Sequence, residues 1–165
     1  MPRFLDVPHR LRRTPFIGLP LALMLAIACS RPAETAEPAE RMDPPADAAV
    51  ATLAGGCFWC MEPPFEDLDG VYSVVSGYTG GSEVDPSYKQ VASGRTSHVE
   101  AVQITYDPAR ISYHQLLRVF WKSIDPTDGG GQFADRGTQY ETAIFVHDDH
   151  QRAVAEASLT GHLVF

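Results

Sequence analysis

The sequence predicts an α+β domain. Strand-like and helix-like segments interleave, but without the regular strand–helix–strand spacing that a doubly wound parallel sheet requires. Roughly 115 residues follow a Pro/Ala/Glu-rich stretch, which suffices for one small domain with a single core. No internal repeat is visible.

Val50–Leu53 is a short apolar strand that runs into Gly55-Gly56-Cys57. Phe58–Leu68 is expected to be helical, with Pro63 and Pro64 disturbing its first turns because neither carries a backbone N–H. Val71–Gly77 alternates and ends in the turn Tyr78-Thr79-Gly80-Gly81. Ser82–Gly94 reads as a loop holding a short helix about Tyr88–Val91. Glu100–Tyr106 alternates as a half-buried strand and is stopped by Asp107-Pro108. Ser112 caps a helix over Tyr113–Trp121. Asp125–Gly137, with Asp-Pro-Thr and three consecutive glycines, is loop; Thr142–His147 is a strand, and Asp148–Leu159 is a polar amphipathic helix.

The start of the chain carries an address. Arg3, Arg10, Arg12 and Arg13 face a single acid, Asp6, and an uncharged run follows over Phe16–Ala28. That run falls short of the about 20 residues a membrane-spanning helix needs, and the pattern is that of a secretory signal peptide. Ala26-Ile27-Ala28-Cys29-Ser30 resembles a bacterial lipoprotein cleavage box with Cys29 lipidated; an ordinary secretory signal is the alternative. Either implies export, to the periplasm or as an outer-membrane lipoprotein. Residues 29–49 read as a disordered tether and 50–165 as the folded domain. Removing residues 1–28 takes away four arginines and one aspartate, so the formal charge moves from −8 to −11. So acidic a domain is not expected to bind nucleic acid or an anionic lipid surface, which leaves the lipid on Cys29 as the membrane link.

Cys57 and Cys60 are the two cysteines of the domain. A bridge closing so small a loop adds little by loop entropy, so the pair reads as redox or metal chemistry. A structural zinc site needs four ligands, and neither a second CxxC nor an HxxxH exists, so no metal is expected. Cys57 opens a helix, where unpaired N–H groups should stabilise a thiolate and lower its pKa. Phe58 and Trp59 follow it at once. A reactive sulfur beside an aromatic wall suits a small, apolar, sulfur-bearing group.

Further motifs follow in order. They are Gly55-Gly56-Cys57-Phe58-Trp59-Cys60-Met61-Glu62, Gly77-Tyr78-Thr79-Gly80-Gly81, Asp85-Pro86-Ser87-Tyr88 and Ser93-Gly94-Arg95-Thr96-Ser97-His98-Val99-Glu100. After them come Phe120-Trp121-Lys122-Ser123-Ile124-Asp125-Pro126-Thr127 and Asp135-Arg136-Gly137-Thr138-Gln139-Tyr140. Together, over about residues 50–158, they resemble peptide methionine sulfoxide reductase of the A type. The resemblance implies a ferredoxin-like mixed α/β sandwich and reduction of the S epimer of methionine sulfoxide, free or in oxidised proteins. It implies no bound cofactor and an external dithiol such as thioredoxin as reductant; a monomer is expected by default, since nothing in the sequence constrains the oligomeric state.

The resemblance also implies roles. Cys57 is the nucleophile and Glu100 the acid that protonates the sulfoxide oxygen, which requires a pocket that keeps its carboxyl neutral. Tyr88 and Tyr140 donate hydrogen bonds to that oxygen, and Asp135 orients the network. Phe58 and Trp59 wall the methyl pocket. Glu62, in the first turn beside Cys57, and His98, near the acid, are secondary candidates. Relatives differ in the resolving thiol. Ala92 and Ala134 stand where some carry cysteines, which leaves Cys60 as the internal candidate, or direct attack by an external thiol. The closing Leu159–Phe165 does not resemble the family continuation, so the domain is expected to be C-terminally shortened. A thioredoxin-like disulfide oxidoreductase, an inactive sulfoxide-binding module and an acyl-transferring cysteine enzyme are the other readings of the same cysteines.

Overall fold

The computed structural model describes residues 44–162. The signal segment, Cys29, the tether up to residue 43 and residues 163–165 lie outside the described residues. Among the described residues six strands and five α-helices follow in the order β1 (Ala49–Ala54), α1 (Phe58–Met61), α2 (Pro63–Glu66), β2 (Val71–Thr79), α3 (Tyr88–Ala92), β3 (Val99–Tyr106), α4 (Tyr113–Ser123), β4 (Gly131–Gln132), β5 (Asp135–Arg136), β6 (Ala143–Phe145) and α5 (Asp149–His162). Strands β2-β3-β1-β6 form one sheet in that order, and every neighbouring pair is antiparallel. This is the split β-α-β arrangement of the ferredoxin-like class, so the α+β expectation and its sandwich form both hold. No helix among the described residues is long and apolar enough to cross a membrane.

The core lies on one face of this sheet. Ala51 and Leu53 of β1 and Val102, Ile104 and Tyr106 of β3 meet Phe65 of α2, Leu116, Leu117 and Phe120 of α4, and Ala155 of α5. The strand period of two sets this face, and it has a consequence for the site. Glu100 has the same parity as Val102, Ile104 and Tyr106, so its carboxyl points to the core side at the start of β3. Helix α4 begins at a reciprocal cap. Ser112 Oγ accepts from Gln115 N–H at 3.3 Å, and Gln115 Oε1 accepts from Ser112 N–H at 2.9 Å. Such a box stabilises a helix by about 1 kcal/mol.

Several boundaries differ from expectation. The helix foreseen over Phe58–Leu68 is two single turns, broken at Glu62. Glu62 N–H still bonds Phe58 O, but Pro63 and Pro64 have no N–H to continue the ladder and instead begin α2. The foreseen loop Asp125–Gly137 contains the β4–β5 hairpin, whose strands are too short to show a period. β1 starts at Ala49, inside the foreseen tether, and β6 is shorter than Thr142–His147.

The hairpin turn is strained. Phe133 holds φ +51° although it is not glycine, and the residue is 70% exposed. A left-handed conformation costs an L-residue roughly 1–2 kcal/mol, and an exposed ring returns little of it. Phe133→Gly is therefore expected to stabilise the domain by about 0.5–1 kcal/mol, read as a higher midpoint in urea.

Candidate active site

The Gly-Gly pair ahead of Cys57 is required by close packing. A Cβ on Gly55 would lie 2.6 Å from Ile124 Cγ2 and 3.2 Å from the Phe120 ring. Gly56 holds φ +88°, and a Cβ there would stand 2.7 Å from Gln132 Cβ. Gln132 is itself buried and fully used: its Oε1 accepts from Asp125 N–H at 2.7 Å, and its Nε2 donates to Asp125 O and Thr142 Oγ1. The chain leaving β1 is thus pressed between α4 and the hairpin base, and it delivers Cys57 half-buried at the head of α1.

The Cys57 thiol is raised, contrary to the sequence expectation. Burial is the largest cause; the backbone N–H groups of Trp59 and Cys60 pull the other way, and the neighbouring Cys60 and Glu100 push it further up. A single helical turn aligns too few peptide dipoles to outweigh desolvation beside acidic neighbours. Cys57 therefore rests as a thiol.

Glu100 is 2% exposed, and its Oε2 accepts from the N–H of Phe58 at 3.1 Å. This bond joins β3 to the residue next to Cys57. Burial raises the Glu100 pKa; the Phe58 N–H partly opposes this, and the charge of Asp135 adds to it. The structure therefore holds an acid that keeps its proton to higher pH than a free carboxyl does, with an acidic neighbour on β5.

Three tyrosines surround it. Tyr140, which closes the single 3-10 turn Thr138–Tyr140, is raised by burial and then by Glu100, Asp135, Tyr88 and Cys57. Tyr88 opens α3 behind the Ser87 cap and lays its ring on Trp59, with centroids 6.1 Å apart and planes 27° from parallel. Tyr78 sits opposite Glu100 across the β2–β3 ladder and packs on Phe58 at 5.7 Å. Burial, followed by Glu100, Tyr88 and Tyr140, pushes Tyr78 up to about 12. Tyr78 and Tyr140 are thus neutral O–H donors at physiological pH. Tyr78 is not marked as a site residue by the sequence, because its partner Glu100 is set by strand pairing.

The profile of the peptide methionine sulfoxide reductase family matches residues 49–162. The chain belongs to that family. It is 58% identical over 109 residues to the peptide methionine sulfoxide reductase MsrA of Bacillus subtilis, covering 66% of this chain and 62% of the relative. It is 56% identical over 108 residues to the one from Listeria monocytogenes serotype 4a, covering 66% and 61%. Methionine sulfoxide reductase A of Corynebacterium diphtheriae superposes with a TM-score of 0.65 at 31% identity, over 73% of this chain and 56% of that one. Mxr1 of Saccharomyces cerevisiae in its reduced form gives 0.65 at 34%, over 70% and 69%. The chain spans about three-fifths of the length of the curated relatives it matches. Membership of the reductase family does not favour the thioredoxin-like reading of the CxxC.

The remaining candidates separate by position. Phe58 is 6% exposed and belongs to the core cluster, whereas Trp59 is 62% exposed, so the adjacent aromatics face different ways. Cys60 is exposed and free, close enough to Cys57 for its charge to be felt there. Glu62 accepts from Ser76 Oγ at 2.6 Å and so ties the α1–α2 break to β2. His98 is buried and braces the loop before α3: its Nδ1 accepts from Gly81 N–H at 3.3 Å, and its Nε2 lies 2.9 Å from Glu83 O. Cys57, Glu100, Tyr88, Asp135 and Tyr140 converge; Glu62 and His98 are engaged on the flanks.

Proposed function

We propose that this chain reduces the S epimer of methionine sulfoxide to methionine, and that the named residues act in one sequence. The observation that carries this is the buried Glu100 carboxyl, bonded to the N–H beside Cys57 and ringed by neutral phenols. Such a group has little structural reason to be an acid; Gln would fill the same space and accept the same hydrogen bond.

The phenols of Tyr88 and Tyr140 donate to the sulfoxide oxygen while the substrate methyl rests against Phe58 and the Trp59 ring. Cys57 releases its thiol proton to solvent and its thiolate attacks the substrate sulfur, while Glu100 gives its proton to the oxygen and takes one back from solvent before the next turnover. The substrate S–O bond breaks as oxygen passes to Cys57 Sγ. Methionine leaves reduced by two electrons, and Cys57 is left oxidised by two, as a sulfenic acid. A second thiol then condenses with the sulfenic acid, releasing water and forming a disulfide. Cys60 supplies that thiol, or an external one does; a dithiol of thioredoxin type returns the enzyme to its reduced form.

Oxidised proteins bearing methionine sulfoxide are the substrates this implies, along with the free amino acid. The basic and apolar segments at the start of the chain support export, to the periplasm or to a membrane through a lipid on Cys29, with the domain acting as a monomer. The test is turnover of the separated sulfoxide epimers with dithiothreitol as reductant. Methionine should form from the S epimer alone. Equal turnover of both epimers would overturn the pocket assignment, and turnover of neither by a folded chain would overturn the activity.

A further inference from the structure

The geometry points to Gln139 as a positioning residue that sets the spacing between the Tyr140 and Tyr88 phenols; this rests on the proposed action of both phenols on the sulfoxide oxygen. The two tyrosines come from segments far apart in sequence, and no strand pairing joins them. Tyr140 ends a single 3-10 turn, and Tyr88, itself an exposed residue, opens a five-residue helix. Neither element is rigid by itself.

Gln139 links them. Its side chain is 6% exposed, and Nε2 donates to the backbone carbonyl of Ala92, the last residue of α3, at 3.2 Å. Tyr88 lies about one helical turn earlier on that helix. The amide is also held from behind. Gly137 has φ +125°, and a Cβ there would stand 2.5 Å from Gln139 Oε1. The turn thus presses the amide against α3, and the next residue along, Tyr140, faces Glu100 and Cys57.

Two donors that must meet one oxygen tolerate little slack, and a displacement of about 1 Å can cost up to a hundredfold. Gln139→Met keeps the bulk and loses the donor. It is expected to slow methionine release on the order of ten- to a hundredfold, mainly in kcat, while iodoacetamide alkylation of Cys57 keeps its wild-type rate. The deciding readout is the same substitution made in the Tyr88→Phe, Tyr140→Phe double variant, followed as slow single-turnover methionine release. With the phenols gone it should cost less than about twofold.

Gln139→Glu is the second variant should the first fail to fold. Its deficit relative to wild type should be largest when the introduced carboxyl is ionised, and it should shrink as falling pH protonates that carboxyl and restores a donor to Ala92 O. Equal losses with and without the phenols, or no loss in the wild-type background, would overturn the role of Gln139 and leave the reductase reading standing. No methionine from the folded wild-type chain would instead remove the reading on which it rests.

Discussion

Cys57→Ser is expected to stop methionine release to the limit of detection, a loss beyond about 10⁴-fold, because a hydroxyl is a far weaker nucleophile toward sulfur and cannot hold the oxygen as a sulfenic acid. Cys60→Ser divides the reaction differently. Cys60 is exposed on α1, so its removal should leave the first turnover intact and alter only how the oxidised enzyme is resolved. If Cys60→Ser also abolished the first methionine, the assignment of the two thiols would be reversed. Rapid-quench measurement of methionine per chain separates these results.

Glu100→Gln carries the second largest effect. Gln can keep the hydrogen bond from Phe58 N–H but has no proton to give, so methionine release should fall on the order of a hundred- to ten-thousandfold. Alkylation should move the opposite way. At a pH high enough to ionise Glu100, its charge helps to raise the Cys57 thiol, so there the substitution lowers that pKa and speeds reaction with iodoacetamide. Stability should respond as well. A carboxyl whose pKa is raised on folding favours the folded state fully below its unfolded value, and this is lost as pH rises through the folded value. A neutral Gln escapes that loss, so the melting temperature of Glu100→Gln should exceed wild type by a margin that widens from acid to neutral pH. A variant slower, slower to alkylate and less stable would mark Glu100 as a structural carboxylate.

What could be read in the sequence was local. Gly55-Gly56-Cys57, the Ser112 cap and the alternation of β3 depend on neighbouring residues, and each appears where its pattern placed it. The burial of Glu100 is a borderline case. It follows from parity with Val102 and Ile104, but only once β3 is known to cover the core on that face. The Cys57 shift runs opposite to the sequence expectation because a helix N-terminus is visible in sequence, whereas desolvation and the approach of Glu100 from a strand some forty residues on are not. Tyr78 and Gln139 escaped for the same reason. One matters through its cross-strand partner and the other through a carbonyl on α3, and neither partner is near it in the chain. The β4–β5 hairpin, with two residues per strand, has no period to detect.

Mixing the purified, fully reduced chain with methionine S-sulfoxide, free of other thiols, tests the Cys57–Glu100 chemistry most directly. Released methionine and the intact mass of the protein would be measured together. About one methionine per chain should appear, with the protein either lighter by two hydrogens, as a Cys57–Cys60 disulfide, or heavier by one oxygen, as the sulfenic acid. A folded chain that releases no methionine and keeps its mass would contradict it.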